Sequence, residues 1–147
     1  MMDARHLILV IEDSDEQFEA VRRAFQRTGI TNPVHRCGDG DEALDYLLRR
    51  GIYTDPATSP RPAVVLLDLN LPGTDGRDVL DSIKSEEELK AIPVVVLTTS
   101  SSPSDVQHCY RTGAAGFIIK PVRFDAFLKT VENLKGYWLD TVALPAG

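Results

Sequence analysis

A short apolar run that leads into a single aspartate constrains the fold of this chain more than any other stretch. Every residue from Val64 to Leu67 is apolar, and Asp68 follows directly. Pro72 and Gly73 then supply the residues of a turn. An unbroken apolar run that ends at turn residues predicts a strand buried on both faces of a sheet. Because open α/β sheets bind ligands at the carboxyl ends of their strands, Asp68 is the first candidate for chemistry.

Four further segments have the composition of strands, and helical patterns separate them. They cover residues 6–11, 33–37, 93–97 and 116–119. Apolar residues recur at helical spacing after each predicted strand except the one at 93–97, and the last of these patterns continues from Phe124 to Trp138. After the strand at 93–97 the helix is predicted instead by Ser102 as its cap, Pro103 at its first position and Gly113 at its end. Five strands that alternate with five helices predict an α/β fold with a doubly wound parallel sheet. Its expected form is the flavodoxin-like (βα)5 sheet with the strand order 2-1-3-4-5.

Local signals mark where these elements begin and end. Ser14 or Asp15 is expected to cap the first helix, and Gly29 to end it. Asp41 or a neighbour is expected to cap the second helix. Residues 52–62 contain three prolines and are expected to form a surface loop without a regular element.

Composition and charge exclude several classes of function. The chain has 147 residues, enough for one domain with a full core, and shows no internal repeat. Its formal net charge of −6 and the lack of a basic cluster argue against nucleic-acid binding. No apolar run approaches the ~20 residues of a membrane span, and no signal-peptide pattern is visible. The sequence therefore indicates one domain over residues 1–147, cytoplasmic, with neither a nucleic-acid nor a membrane partner.

The two cysteines support the same compartment. Cys37 and Cys109 are isolated and form no CxxC pattern. Such cysteines are typical of reduced, mostly buried thiols in a cytoplasmic protein.

Polar side chains collect at one end of the predicted sheet. Glu12 and Asp13 close the first strand, Asp68 the third, Thr98 the fourth and Lys120 the fifth. In the expected order the first and third strands are neighbours at the switch point, where such sheets bind ligands. Three carboxylates that meet there repel one another, which favours either a raised pKa or a bound cation. Oxygen donors without a nearby His or Cys indicate Mg²⁺ rather than zinc.

The remaining two side chains suit a phosphoryl group. Lys120 would neutralise phosphoryl oxygens and Thr98 would donate a hydrogen bond, while a carboxylate can itself accept the phosphoryl group as an acyl phosphate. Each residue has an ordinary alternative as a helix cap, a turn residue or a solvated charge. The functional interpretation is favoured because all of them fall at the same end of the sheet.

Four segments together resemble the receiver domain of two-component response regulators, over about residues 6–137. They are Ile8–Ser14, Leu66–Gly76, Val96–Thr99 and Gly116–Pro121. The resemblance implies that a histidine kinase phosphorylates Asp68. It also implies that the Lys120–Pro121 peptide bond is cis. By the same resemblance, Glu12 and Asp13 are the acidic metal-binding pair, and Asn70 lends a backbone carbonyl to Mg²⁺. Thr98 supplies the switch hydroxyl and Lys120 is the phosphoryl-binding lysine. Phe117 is the aromatic switch.

The end of the chain indicates which members of this family the chain resembles most. Residues 136–145, together with Val96–Ser100 and the proline-rich loop, are similar to small stand-alone regulators that partner bacterial and cyanobacterial phytochromes. That similarity implies a phytochrome kinase as the possible donor and a tail, residues 138–147, that takes part in forming a homodimer. An apolar patch would need cover there, unless it packs against its own domain. The patch residues are Tyr137, Trp138, Leu139 and Val142.

Two other functions share part of this pattern. A haloacid-dehalogenase-like phosphatase also uses an aspartyl nucleophile after a buried strand, but it needs a general acid two residues later, where this chain has Asn70. A phosphorylation-independent binding module would be expected to lack part of the site, and no site residue is missing. The expectation is therefore a phosphoacceptor signalling domain, whose only catalysis is its own phosphorylation and dephosphorylation.

Overall fold

Five strands alternate with five helices along residues 6–145, the part of the chain that the computed structural model describes. The strands are β1 (Ile8–Ile11), β2 (Val34–Cys37), β3 (Val64–Leu67), β4 (Val94–Thr98) and β5 (Gly116–Ile119). The helices are α1 (Asp15–Thr28), α2 (Gly40–Leu48), α3 (Gly76–Ser85), α4 (Pro103–Thr112) and α5 (Phe124–Leu134). A short 3₁₀ turn (Gly51–Tyr53) follows α2, and a π-helical segment (Lys135–Leu139) follows α5.

All five strands are parallel, and their order is 2-1-3-4-5, which confirms the predicted fold class. Ile11 pairs with Cys37 on one side and with Leu67 on the other. The residues that follow these strand ends therefore lie side by side. The amide of Asp68 donates to the carbonyl of Ile11 at 3.0 Å, and the amide of Glu12 donates to that of Cys37 at 3.0 Å.

Each face of the sheet carries its own hydrophobic core. Leu9 and Ile11 of β1 point to the face that α2, α3 and α4 cover, whereas Ile8 and Val10 point to the face that α1 and α5 cover. β1, β3 and β4 are buried along their whole length, as their unbroken apolar runs predict. The more polar β2 lies at the edge of the sheet, where one side of a strand is not paired.

Helix caps follow the local sequence. The hydroxyl of Ser14 accepts a hydrogen bond from the amide of Gln17 at the start of α1, and Gly29 ends that helix with φ +81°. α2 is capped by Asp39, a neighbour of Asp41, through a bond from the amide of Glu42.

The expectation of an irregular surface loop over residues 52–62 is wrong in part. The 3₁₀ turn enters this segment, and the side chains of Tyr53 and Ser59 are buried. The reason is that the loop packs against α2. The Tyr46 hydroxyl donates to the carbonyl of Pro60 at 2.7 Å, and the Ser59 hydroxyl donates to that of Tyr53 at 2.9 Å.

The expectation of a cis bond between Lys120 and Pro121 is also wrong, because no peptide bond in residues 6–145 is cis. The trans form is the lower-energy isomer even before proline, by about 0.5–1 kcal/mol. With this bond trans, the Lys120 side chain still reaches its carboxylate partners.

Both cysteines carry free, buried thiols, as predicted. None of the helices described is both long and apolar enough to cross a membrane.

A glycine at the start of α3 allows that helix to lie against the loop that holds Asp68. A Cβ on Gly76 would clash with the carbonyl oxygen of Asp68 and would lie 2.5 Å from Cα of Leu69. Both contacts are with backbone atoms that cannot rotate away. The close approach of α3 to this loop therefore depends on the missing side chain.

We expect Gly76→Ala to destabilise the fold by about 1–3 kcal/mol, since overpacking forces backbone shifts. Urea unfolding measures this loss. Gly136→Ala is the matched control, because a Cβ there meets nothing within 4 Å and alanine is the better helix former. Equal stability of the two variants would contradict the packing described for Gly76.

Candidate functional site

Three carboxylates meet at the carboxyl ends of β1 and β3. Glu12 and Asp68 are buried, at 2% and 6% exposure, whereas Asp13 faces solvent. One carboxylate oxygen from each residue lies within 4.8 Å of the others. The structure thus brings together the three acids that the sequence predicted to be neighbours, because the paired ends of adjacent parallel strands carry them.

Lys120 inserts its ammonium group between the two buried acids. Its Nζ forms an ion pair with Glu12 Oε1 and lies 3.4 Å from Asp68 Oδ2. The backbone places the residue, since the Lys120 amide donates to the carbonyl of Thr98 at 2.7 Å. The lysine therefore already neutralises carboxylates in this state of the protein.

Gln17 is a further member of the site that sequence reasoning missed. Its Oε1 accepts a hydrogen bond from Lys120 Nζ at 2.5 Å. The residue lies in the first turn of α1, three positions after the Ser14 cap, and that turn begins directly above the end of β1. Its position in this turn is the signal that could have identified Gln17 from the sequence. When a strand ends in an acid, the first turn of the helix that follows faces the same site.

The carboxylate of Asp68 is held by donors on both of its oxygens. Thr98 Oγ1, which is fully buried, donates to Oδ1 at 2.8 Å, and the amide of Asn70 donates to the same atom at 3.2 Å. Oδ2 faces Lys120. The side chain is thereby fixed in one orientation at the base of the site, as a nucleophile or a metal ligand requires.

Burial raises the pKa of Glu12, and the nearby charge of Asp68 raises it further. The hydrogen bond and the charge of Lys120 act in the opposite direction. From the sequence, the expected cause of a raised pKa at this site is repulsion among the three carboxylates. In the structure desolvation is the larger cause and repulsion the smaller.

The donor set suits a hard divalent cation. Glu12, Asp13 and Asp68 offer carboxylate oxygens on one side of the site, and Asp13 is open to solvent, from which a hydrated ion could enter. Oxygen ligands with retained water are what Mg²⁺ prefers. The residues present therefore fit the cation that the sequence predicted.

Beyond Thr98, a polar network connects the β4–α4 loop to two helices. The Ser100 hydroxyl donates to Asp105 Oδ2 at 2.7 Å, and Arg77 makes two bonds to the Asp105 carboxylate, at 2.7 and 2.6 Å. Arg77 also bonds Asp75, the cap of α3. Sequence reasoning did not find this network, because its members are separated along the chain and carry no motif.

Phe117, the expected aromatic switch, lies on β5 and is half-buried. It packs against the core formed with α2, α3 and α4. Its backbone amide donates to the hydroxyl of Tyr110 at 3.1 Å. The residue therefore lies between α4 and the edge of the sheet.

The tail residues are divided between the core and solvent. Trp138 and Leu139 pack against the core beside α1 and α5, and Val142 is half-buried. Tyr137 is 55% exposed. The part of the tail that the structure describes, up to residue 145, therefore covers its own domain with two of the four predicted patch residues.

Comparison with known proteins agrees with this geometry. The family model of the response regulator receiver domain matches residues 8–132. The chain belongs to this family. The strand order and the acidic strand ends of the receiver domain are thus explained by common descent.

Two curated relatives match most of the receiver domain. The probable methanogenesis regulatory protein FilR2 of Methanothrix harundinacea is 44% identical over 134 residues, which are 90% of this chain and 83% of that protein. The response regulator Rcp1 of Synechocystis is 39% identical over 140 residues, 95% of this chain and 93% of that protein.

Solved structures give the same result. The Mn²⁺-bound form of Rcp1 superposes with a TM-score of 0.88 at 39% identity, over 96% of this chain and 99% of that one. The phosphorylated cyanobacterial phytochrome response regulator RcpA superposes with a TM-score of 0.89 at 37% identity, over 97% and 100%. The receiver domain is therefore close to phytochrome response regulators.

The Asp105 contacts predict a pH dependence of stability. Arg77 and the Ser100 hydroxyl lower the pKa of Asp105 to about 2, from an ordinary value of 3.8. A depressed carboxyl pKa stabilises the fold above 3.8, and this contribution is lost as the pH falls towards 2. Between about pH 6 and about pH 3 the loss is about 1 kcal/mol.

Urea unfolding of Asp105→Asn should therefore show a smaller loss over this range than the unmodified chain. Asp78→Asn, at an exposed position of α3, is the matched control and should behave like the unmodified chain. An unchanged pH dependence in Asp105→Asn would show that Arg77 does not hold this carboxylate.

Proposed function

We propose that this receiver domain is a phosphorelay switch in which Asp68 accepts a phosphoryl group from a histidine kinase. The observation that carries the proposal is the buried Asp68 carboxylate, held by Thr98 and Asn70 on one oxygen and facing Lys120 with the other. Phosphorylated RcpA, with 37% identity over nearly the whole chain, supports the same assignment.

The transfer needs little chemistry beyond positioning. An oxygen of Asp68 attacks the phosphorus of a phosphohistidine, the P–N bond breaks, and the electron pair returns to the imidazole nitrogen. The product is an acyl phosphate on Asp68. The fixed carboxylate supplies the attacking oxygen without a change of rotamer, and Lys120 offers a positive charge to the incoming phosphoryl oxygens.

Glu12, Asp13, Asp68 and the backbone carbonyl of Asn70 would hold Mg²⁺. When bound, this cation would neutralise phosphoryl oxygens. The residues of the chain then divide the remaining work. Glu12 orients Lys120, and the amide of Ser14 in turn donates to Glu12 Oε2 at 3.2 Å.

Phosphorylation would change the partners of Thr98 and Lys120. Both side chains contact Asp68 before the transfer, and a phosphoryl group on that residue offers stronger acceptors in the same place. A shift of Thr98 would be transmitted to Ser100, whose amide bonds Thr98 Oγ1 at 3.3 Å, and to the half-buried Phe117. The result is a two-state population shift that alters protein–protein contacts.

The partner we propose is a histidine kinase of the phytochrome type, because the similar structures include a cyanobacterial phytochrome response regulator. An open groove of about 430 Å³ beside the site gives such a partner access to Lys120. It is lined by polar and apolar side chains of α1 and of the segment after β5, among them Glu16, Gln17, Ala20, Val122 and Phe124.

We also propose one cytoplasmic domain over residues 1–147 that acts on no external substrate and forms a homodimer through its tail. The exposed Tyr137 supports the homodimer, since a large aromatic side chain in solvent gains by being covered. Sedimentation equilibrium of the full chain should show a dimer, and a monomer at all concentrations would contradict this part.

The alternatives have less support. A haloacid-dehalogenase-like phosphatase needs an acid where Asn70 stands, and the family match is to receiver domains. A phosphorylation-independent binding module gives no reason for the buried cluster of Glu12, Asp68, Thr98 and Lys120.

The proposal predicts Mg²⁺-dependent incorporation of phosphate from acetyl phosphate, at one phosphate per chain. Asp68→Asn should lose this labelling, because an amide oxygen is a poor nucleophile for phosphorus. Intact-mass spectrometry measures the added mass directly. Asp78→Asn removes an exposed carboxylate that is not a member of the acidic cluster, and it should be labelled like the unmodified chain.

Two results would overturn the assignment. Equal labelling of Asp68→Asn and the unmodified chain would place the phosphate elsewhere. Steady hydrolysis of an external phosphate ester with Mg²⁺ would restore the phosphatase.

A further inference from the structure

A second cluster of metal-ligating side chains lies where β2 meets α2. His35 and Cys37 are two residues apart on β2, so their side chains point to the same face of the sheet, and Glu42 reaches them from the first turn of α2. One ligand atom from each of the three lies within 4.8 Å of the other two. None of these residues belongs to the group of acids around Asp68.

Outer contacts hold two of the three side chains in place. The hydroxyl of Tyr53 donates to Glu42 Oε2 at 2.6 Å and lies 3.2 Å from His35 Nε2. The amide of Gly38 donates to Glu42 Oε1 at 2.8 Å. The His35 ring stacks on Tyr46, with 4.6 Å between the ring centroids. Oriented ligands of this kind are characteristic of metal sites, where outer hydrogen bonds fix the first ligands.

The chemistry of the three donors selects the kind of cation. An imidazole nitrogen, a thiolate sulfur and a carboxylate oxygen are the ligands of Zn²⁺, which prefers four ligands in a tetrahedral arrangement. Mg²⁺ prefers oxygen ligands alone and avoids sulfur. The two candidate sites of the domain therefore differ in donor type.

Access to the site is also suitable, and because burial raises the pKa of the Cys37 thiol, the cation itself has to displace the thiol proton. Cys37 is a free thiol and is fully buried, whereas His35 and Glu42 are only half-buried, so a cation can enter from their side. Binding would release the thiol proton of Cys37 to solvent and leave the thiolate on the metal.

We infer that His35, Cys37 and Glu42 form a binding site for a zinc-class divalent cation, with Tyr53 as the outer residue that orients Glu42. A water molecule completes the four ligands. The cation binds the folded chain alone, and so it stabilises the fold. It also fixes the end of β2 next to the phosphorylation site, since the carbonyl of Cys37 accepts the amide of Glu12.

The test uses Co²⁺ as a spectroscopic substitute for Zn²⁺, added to the metal-free full chain. Excess Mg²⁺ is present throughout to saturate the acidic site. We expect a cobalt–thiolate charge-transfer band at one equivalent, and we expect Zn²⁺ to remove this band by displacement. No thiolate band, or a band that Zn²⁺ does not displace, would overturn the inference.

The two buried cysteines provide a matched pair of variants. Cys37→Ser should lose the band, whereas Cys109→Ser, at an equally buried position, should keep it. Circular dichroism checks that both variants are folded. If Cys109→Ser lost the band and Cys37→Ser kept it, the site would be assigned wrongly.

Two further variants test the site without altering the sulfur. Glu42→Gln removes a ligand and Tyr53→Phe removes the hydroxyl that orients it, and each should weaken Zn²⁺ binding about 10–100-fold in competition with a chelating dye. Unchanged affinity in both would contradict the inference. Asp68→Asn should keep the band, so a failure of the phosphorylation proposal and a failure of this one are distinguishable.

Discussion

The contact of one buried ammonium group with two buried carboxylates is the interaction on which this receiver domain depends. Lys120, Glu12 and Asp68 come from three different strand ends, and each is almost fully removed from water. Removing one partner of such a group leaves an uncompensated charge and costs roughly 3–5 kcal/mol. With Asp13 at the rim, the four groups carry more negative than positive charge. An incoming phosphoryl group would add further negative charge, and this excess is the reason for which we propose a cation at the site as well as the lysine.

The rest of the fold serves to hold these charges in register. Parallel pairing aligns the ends of β1 and β3, and the Asp68 amide is tied to the carbonyl of Ile11. Gly76 lets α3 approach the loop that carries Asp68, and Thr98 arrives from β4 at the same depth. Two hydrophobic cores fix the sheet from both sides, so the site is rigid at its base, and it is open to solvent near Asp13 and along the groove beside Lys120.

Much of this was readable from the sequence because it depends on local patterns. Apolar runs predicted the strands, and their alternation with helices predicted the flavodoxin-like sheet and its order. The acids that close two of the runs then predicted the meeting of Glu12 and Asp68. The positions that sequence reasoning missed depend on tertiary contact instead. Gln17 accepts a hydrogen bond from Lys120, which is more than a hundred residues away along the chain. Tyr53 is buried because the proline-rich loop packs against α2, where the Tyr46 hydroxyl donates to the carbonyl of Pro60. The packing of Trp138 onto its own domain likewise follows from tertiary contact. The Lys120–Pro121 bond is trans, the isomer of lower intrinsic energy.

Urea unfolding of Lys120→Met in the absence of metal tests the central claim most directly, with Lys129→Met at an exposed position of α5 as its control. The account predicts a loss of about 3–5 kcal/mol for Lys120→Met, because Glu12 and Asp68 lose their counter-charge. It also predicts that Mg²⁺ restores part of this loss, and that Lys129→Met behaves like the unmodified chain. If Lys120→Met were as stable as Lys129→Met without metal and did not respond to Mg²⁺, the buried ion cluster would not be what organises this site.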